Sequence, residues 1–180
     1  MSSSLYLVPS QVDAGQANRL TGLWVFMGVV GMLFFLFSCA YIMRMALPDW
    51  RPLPFVPWQL WLSSAVLAAA SMAWRRCSYG WGCVFSLGFL ASQLWAWQAM
   101  KTANFPLDAN PANSFFYLIT GLHALHVAGG LAVAAGARRN EATMQLCARY
   151  WHFLLGLWLA MFGLLFWVTP AFVQDVCNVF

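Results

Sequence analysis

Charge is what this sequence has least of. Only 8% of its 180 residues are Asp, Glu, Lys or Arg, against 62% hydrophobic and 17% aromatic. A soluble globular domain could not hide that much apolar surface from water. The expected class is therefore all-α, a polytopic membrane protein with a bundle of five transmembrane helices. A second absence narrows what such a bundle could do. None of the five apolar interiors contains an Asp, Glu, Lys or Arg, although proton relays and ion-coupled carriers place ionisable groups at membrane depth. A self-contained pump is disfavoured, and a path for a neutral solute would have to use residues such as Ser63, Ser64 and Gln93.

Other absences exclude other chemistry. The cysteines Cys39, Cys77, Cys83, Cys147 and Cys177 form no CxxC pair, and the spacing from Cys77 to Cys83 matches no common zinc or redox motif. They read as small apolar residues or idle thiols. The net charge of +4 comes from basic residues placed singly or in pairs at segment ends. That is the pattern of membrane topology, and no nucleic-acid partner is expected. Residues 1–19 lack the basic region and apolar core of a signal peptide and read as a cytoplasmic N-terminal tail. There is no internal repeat and no extramembrane domain.

What remains is a succession of apolar segments. The expected spans are about 20–43, 58–74, 80–100, 113–137 and 149–169, within a domain at 20–170 that is followed by a periplasmic tail at 171–180. The first exceeds a hydrocarbon core of about 30 Å at about 1.5 Å per residue. Pro48, Pro52, Pro54 and Pro57 make an extended connection after it. Asn113 or Ser114 is available to cap the fourth helix, and Pro170 ends the fifth. Arg19, Arg75, Arg76, Arg138, Arg139 and Arg149 fall on one side and Arg44, Arg51 and Lys101 on the other, which puts the N-terminus in the cytoplasm and the C-terminus in the periplasm.

All three histidines fall in the last two segments: His123 and His126 in the fourth, His152 near the start of the fifth. At about 100° per residue, Gly121, Ala124, Ala128, Ala132 and Ala135 share one narrow stripe along which two backbones could approach closely. His123, His126 and Gly130 lie opposite, so the helix has a close-packing face and a polar-capable face. Neutral imidazoles invite a haem or copper reading. Depth argues against a shared ion: His126 lies about 16 Å from the cytoplasmic end of its helix and His152 only about 5 Å into the next. His123 and His126 alone supply two ligands with no carboxylate or thiolate beside them to complete a shell. The plainer reading has buried imidazoles donating to carbonyls or to one another, and His152 with Arg149 meeting lipid phosphate. The methionines show no MxxxM cluster and read as apolar filling. The tryptophans sit mostly near span ends, as an interfacial belt would.

At the fourth and fifth segments the residues become specific. Phe115-Phe116-Tyr117-Leu118-Ile119-Thr120-Gly121-Leu122-His123-Ala124-Leu125-His126-Val127 followed by Gly129-Gly130 resembles the TG-[FL]-H-x-x-HV-x-x-G signature of subunit III of haem-copper terminal oxidases, the cytochrome c and quinol oxidase subunit 3 family. Tyr150-Trp151-His152-Phe153 with Trp158 resembles that family's YWHF-x-D-x-x-W. Leu23-Trp24-Val25-Phe26-Met27 is similar, more loosely, to the opening of a helix that precedes an acidic position. Five spans and 180 residues resemble the short five-helix form of that family, and two departures would make this a divergent member. Val29, Val30 and Gly31 stand where relatives carry the acidic residue, and Leu154, Leu155 and Gly156 stand where relatives carry the Asp.

The resemblance implies an accessory subunit without catalytic residues of its own, part of an oxidoreductase complex of the aerobic respiratory chain in a bacterial inner membrane. Its partners would be the large subunit I, subunit II and other membrane subunits. It would hold phospholipid between its helices and support proton uptake during oxygen reduction. Haem and copper would belong to the partner, with none bound by this chain. Residues expected to serve lipid or helix packing are Gly121, His123, Ala124, His126, Ala128, Arg149, Tyr150, Trp151 and His152. The alternatives are a small haem-binding electron carrier using His126 or His123, or an accessory subunit of a nitric oxide reductase.

Overall fold

The computed structural model describes residues 11–45, 47, 50–51, 57–105, 110–136 and 141–168, and the side chains of those from residue 17 onward. The tails at 1–10 and 169–180 and the prolines Pro48, Pro52, Pro54, Pro106 and Pro170 lie outside the described residues, as do Arg138 and Arg139. Among those described there are five helices and no strand: α1 (Gln11–Arg44), α2 (Gln59–Arg75), α3 (Tyr79–Thr102), α4 (Pro111–Gly136) and α5 (Glu141–Trp167).

Three of them are long and apolar enough to cross a membrane: α1 from Ala17 to Arg44, α4 and α5. This makes the chain a membrane protein; by length and composition three of the five expected spans qualify. The 17 residues of α2 reach about 25 Å, short of a hydrocarbon core of about 30 Å. The length of α3 suffices, but Trp81, Ser86, Ser92, Gln93, Trp95, Trp97 and Gln98 dilute its hydropathy.

The helices α2, α3, α4 and α5 close a ring: α2 lies on α3, α3 on α4, α4 on α5 and α5 on α2. Helix α1 packs outside this ring against α5 and α4. Its inner face is the row Met27, Val30, Phe34 and Tyr41, one helical face at steps of three, four and seven. Its remaining faces carry exposed apolar side chains, among them Trp24, Val25, Val29, Met32, Leu36 and Met43. In a membrane protein such faces meet lipid or another helix.

Backbone ends explain the tight links. After α2, Ser78 N–H bonds to the Ala73 carbonyl and Cys77 takes the left-handed conformation at φ 54°. After α3, Phe105 N–H bonds to the Met100 carbonyl and Asn104 sits at φ 62°. Both are helix ends in which one left-handed residue lets the chain reverse. Helix α4 starts at Pro111, earlier than the expected cap at Asn113 or Ser114. The carboxamide oxygen of Asn110 accepts from Ala112 N–H at 3.3 Å, and proline at the first helical position needs no partner for its nitrogen. Helix α5 starts at Glu141, eight residues ahead of the expected start.

Candidate functional site

The small-residue stripe of α4 is not its main packing face. Phe116, Ile119, Thr120, His123, Val127 and Ala134 are buried, whereas Ala132 and Ala135 at the end of the stripe are exposed and Ala124 and Ala128 half-buried. The histidine face looks into the bundle. Gly121, at the head of the stripe, meets the indole of Trp97, where an added Cβ would come within 3.3 Å. The closest approach falls instead at Gly130: a Cβ there would lie 2.6 Å from the Tyr150 ring and 3.2 Å from that of Trp151. Only glycine lets α5 bring those two aromatics so near the α4 backbone.

His123 is 0% exposed. Three aromatic rings enclose it, from Phe34 of α1 at 6.2 Å, Phe89 of α3 at 5.6 Å and Trp158 of α5 at 5.1 Å between centroids. Neither ring nitrogen has a hydrogen-bond partner among the described residues. The carboxamide of Gln93 on α3, 1% exposed, is equally without one.

His126 behaves differently. Its Nδ1 donates to the Leu122 carbonyl at 2.7 Å, so in the neutral imidazole the lone pair is on Nε2. The carbonyl of His126 accepts the Tyr150 hydroxyl at 3.0 Å. The ring lines a cavity of about 840 Å³ between α1, α4 and α5. Phe26, Leu125, Val133 and Leu146 make its walls apolar, and Arg19 brings a cation to one end.

His152 faces elsewhere. Its Nδ1 lies 2.7 Å from the Ala148 carbonyl and 3.0 Å from the Ser71 hydroxyl on α2. With Arg75, Arg149, Trp24 and Trp74 it lines a second cavity of about 660 Å³. Because α5 begins at Glu141, His152 lies about three turns into its helix. The expected distance of about 5 Å into the helix is thus too short, although Arg75 at the end of α2 lines the same cavity. What separates it from His126 is direction, since the two line different cavities. Among the described residues no group of three or more His, Cys, Asp or Glu could hold a metal ion.

The two departures from the resembled motifs are filled by apolar packing. Val30 is buried in a cluster with Phe34, Ile119 and Met161, and Leu155 packs against the main core. Phe34 stands edge-on to His126 as well as to His123, at 5.6 Å.

Three tryptophans also depart from the interfacial belt. Trp74, Trp151 and Trp158 are buried. Trp151 donates its indole N–H to the Ser86 hydroxyl at 2.8 Å and Trp74 to the same oxygen at 3.4 Å, while Trp158 donates to Ser64 at 2.9 Å. A fourth indole, half-buried Trp97, donates to Thr120 at 3.0 Å. The signal in the sequence is a Trp on one helix matched by Ser or Thr on another, which residue spacing within one helix does not reveal. The exposed Trp24, Trp58, Trp61, Trp81, Trp95 and Trp167 keep the outward placement.

Comparison with known proteins points in one direction. The chain is 28% identical over 95 residues to the probable cytochrome c oxidase subunit 3 of Mycobacterium tuberculosis, covering 47% of each chain. It is 30% identical over 95 residues to the protein of that name from Mycobacterium leprae, again with 47% of each covered. To the cytochrome c oxidase subunit 3 of Synechocystis it is 25% identical over 177 residues, covering 82% of this chain and 75% of the relative. The chain thus spans about half the length of the mycobacterial relatives it matches. No protein-family profile matches it.

Proposed function

We propose that this chain is a subunit III, a non-catalytic accessory subunit of a respiratory haem-copper oxidase in a bacterial inner membrane. The observation that carries the reading is the pair of histidine motifs, set on adjacent helices α4 and α5, in a chain whose distant curated relatives bear the subunit 3 name. All five helices cross the membrane in this reading, with the N-terminus cytoplasmic. The short α2 and the less apolar α3 cross as a pair, supported by the ring they close with α4 and α5. Exposed Leu62, Val84, Leu87 and Leu94 give that pair an apolar outer surface.

Phospholipid occupies the two cavities. The apolar groove beside His126 suits acyl chains, and its Arg19 suits a headgroup phosphate. The second cavity offers Arg75, Arg149 and His152 to another phosphate, with Trp24 at its wall. Haem and copper reside in the large partner subunit, and this chain supports its turnover and proton uptake by packing and lipid retention.

The test is gentle purification of the affinity-tagged chain from its native membrane, with a reduced-minus-oxidised spectrum and mass identification of the accompanying chains. Haem signals together with a large multi-span subunit support the reading; a pure chain without one overturns it. His152→Ala should lower recovery of the large subunit or of bound lipid at least about threefold and leave the haem spectrum of what is recovered unchanged. A second reading, a haem-binding electron carrier, is favoured by one feature: the Nε2 lone pair of His126 beside a cavity of about 840 Å³. It requires that the isolated chain carry haem and that His126→Ala remove it.

A further inference from the structure

We propose that Gln93 and His123 mark a hydrated site inside the bundle, where internal water bridges the carboxamide and the imidazole. The proposal goes beyond the accessory role and does not rest on it.

The register of α3 against α4 puts the two residues at one level of the bundle. Trp97 donates to Thr120, and the ring of Phe89 packs on that of His123. The two helices are therefore antiparallel here, and Gln93 lies one turn from Phe89 and one from Trp97, at the level between Thr120 and His123. Both side chains are closed off, Gln93 at 1% and His123 at 0% exposure. No partner chain could reach His123 without opening the bundle.

Four polar atoms at this level have no hydrogen-bond partner among the described residues: Nε2 and Oε1 of Gln93, Nδ1 and Nε2 of His123. Buried polar atoms in folded proteins are nearly always satisfied, by protein or by ordered water. Neighbouring hydroxyls are committed elsewhere. Thr120 donates to the Phe116 carbonyl, and Ser92 is engaged with Ser63 and the Phe89 carbonyl. The donor and acceptor balance suits water. A water accepting from the Gln93 N–H can donate to the unprotonated imidazole nitrogen, and another accepting from the imidazole N–H can donate to Gln93 Oε1. Neither bridge requires a charged group at membrane depth.

The test uses the full chain in lipid nanodiscs, exposed to hydroxyl radicals generated by X-ray radiolysis of the sample. Water bound inside a protein produces radicals where it sits. Trp158, whose ring lies tilted against His123 at 5.1 Å between centroids, should be oxidised at least about threefold more than Trp74, an equally buried indole at the Ser86 level. Gln93→Leu should abolish that excess. Equal, background labelling of the two indoles overturns the proposal. Thermal unfolding supplies the second readout: Gln93→Leu and His123→Phe should each lower Tm by about 2–4 °C, and the double variant should lower it by less than the sum. A rise in Tm for either single variant overturns the proposal, because replacing a dry, unpartnered polar group by an apolar one stabilises. Should a variant fail to fold, the ratio of Trp158 to Trp74 labelling in the wild type decides.

Discussion

Two levels of the same bundle handle buried polar groups in opposite ways. At the Ser86 level one hydroxyl accepts the indoles of Trp74 and Trp151 and donates to the Gly82 carbonyl at 2.7 Å. At the His123 level the imidazole and the Gln93 carboxamide find no partner among the described residues. Both levels lie between packed helices and both are sealed by aromatic rings. The difference lies in reach. A serine hydroxyl beside Gly82 lets two large indoles lean in, because a Cβ at Gly82 would come within 2.7 Å of the Trp74 ring. The imidazole of His123 is fenced by Phe34, Phe89 and Trp158, and the one polar group among those three rings, the Trp158 N–H, is already given to Ser64. Polar satisfaction in this membrane bundle is thus a matter of which helix carries the small residue.

The comparison breaks most sharply at Ser86. Ser86→Ala removes the acceptor of two buried indoles and makes that level resemble the unsatisfied one. The expected loss is about 2–3 kcal/mol, less than twice the usual price of an orphaned donor because the Trp74 bond is long. Reversible unfolding in detergent micelles measures it, with Trp fluorescence as the probe. A loss below about 0.5 kcal/mol would mean that water already serves the two indoles.

The α4 to α5 contact sets how His123 meets Trp158, and a pair of adjacent glycines tests it. Gly130→Ala pushes a methyl group into the Tyr150 ring and should cost about 1–3 kcal/mol, while weakening the Tyr150 bond to the His126 carbonyl. Gly129→Ala meets nothing within 4 Å and should stabilise by about 0.5–1 kcal/mol through helix propensity. Opposite signs at neighbouring positions would establish the close approach; equal effects would remove it.

Much of this arrangement was legible in the residues, and what was not had a common cause. Apolar runs without internal charge announce membrane helices, and the two histidine motifs announce the family resemblance. A helical wheel correctly separates Gly121 from His123, yet it cannot say which side faces the bundle, because glycine and alanine read as packing residues while the buried side here is built from Phe116, Ile119, His123 and Val127. The same limit hid Trp74, Trp151 and Trp158. An indole near a segment end, as Trp74 and Trp151 are, looks interfacial until a hydroxyl on another helix is found within reach, as Ser86 is. The early start of α5 escaped because Glu141 to Arg149 is mixed in polarity, and helix there continues on propensity and packing rather than on an unbroken apolar run.

The smallest effect concerns the link that brings α3 alongside α2, and so brings Ser86 to its indoles. Cys77 occupies the left-handed position at φ 54° where helices usually place glycine. Its thiol is exposed and free. Cys77→Gly removes the Cβ that crowds the following carbonyl, although it also frees the unfolded chain. The two terms leave a net gain of about 0.5–1 kcal/mol, read as a Tm raised by about 1–3 °C. Cys77→Val, branched at Cβ and poorly suited to the left-handed region, should act in the opposite direction. If both substitutions lower Tm, the thiol itself contributes to the wall of the second cavity, and the reversal after α2 is held by the Ser78 bond to Ala73 rather than by the conformation of residue 77.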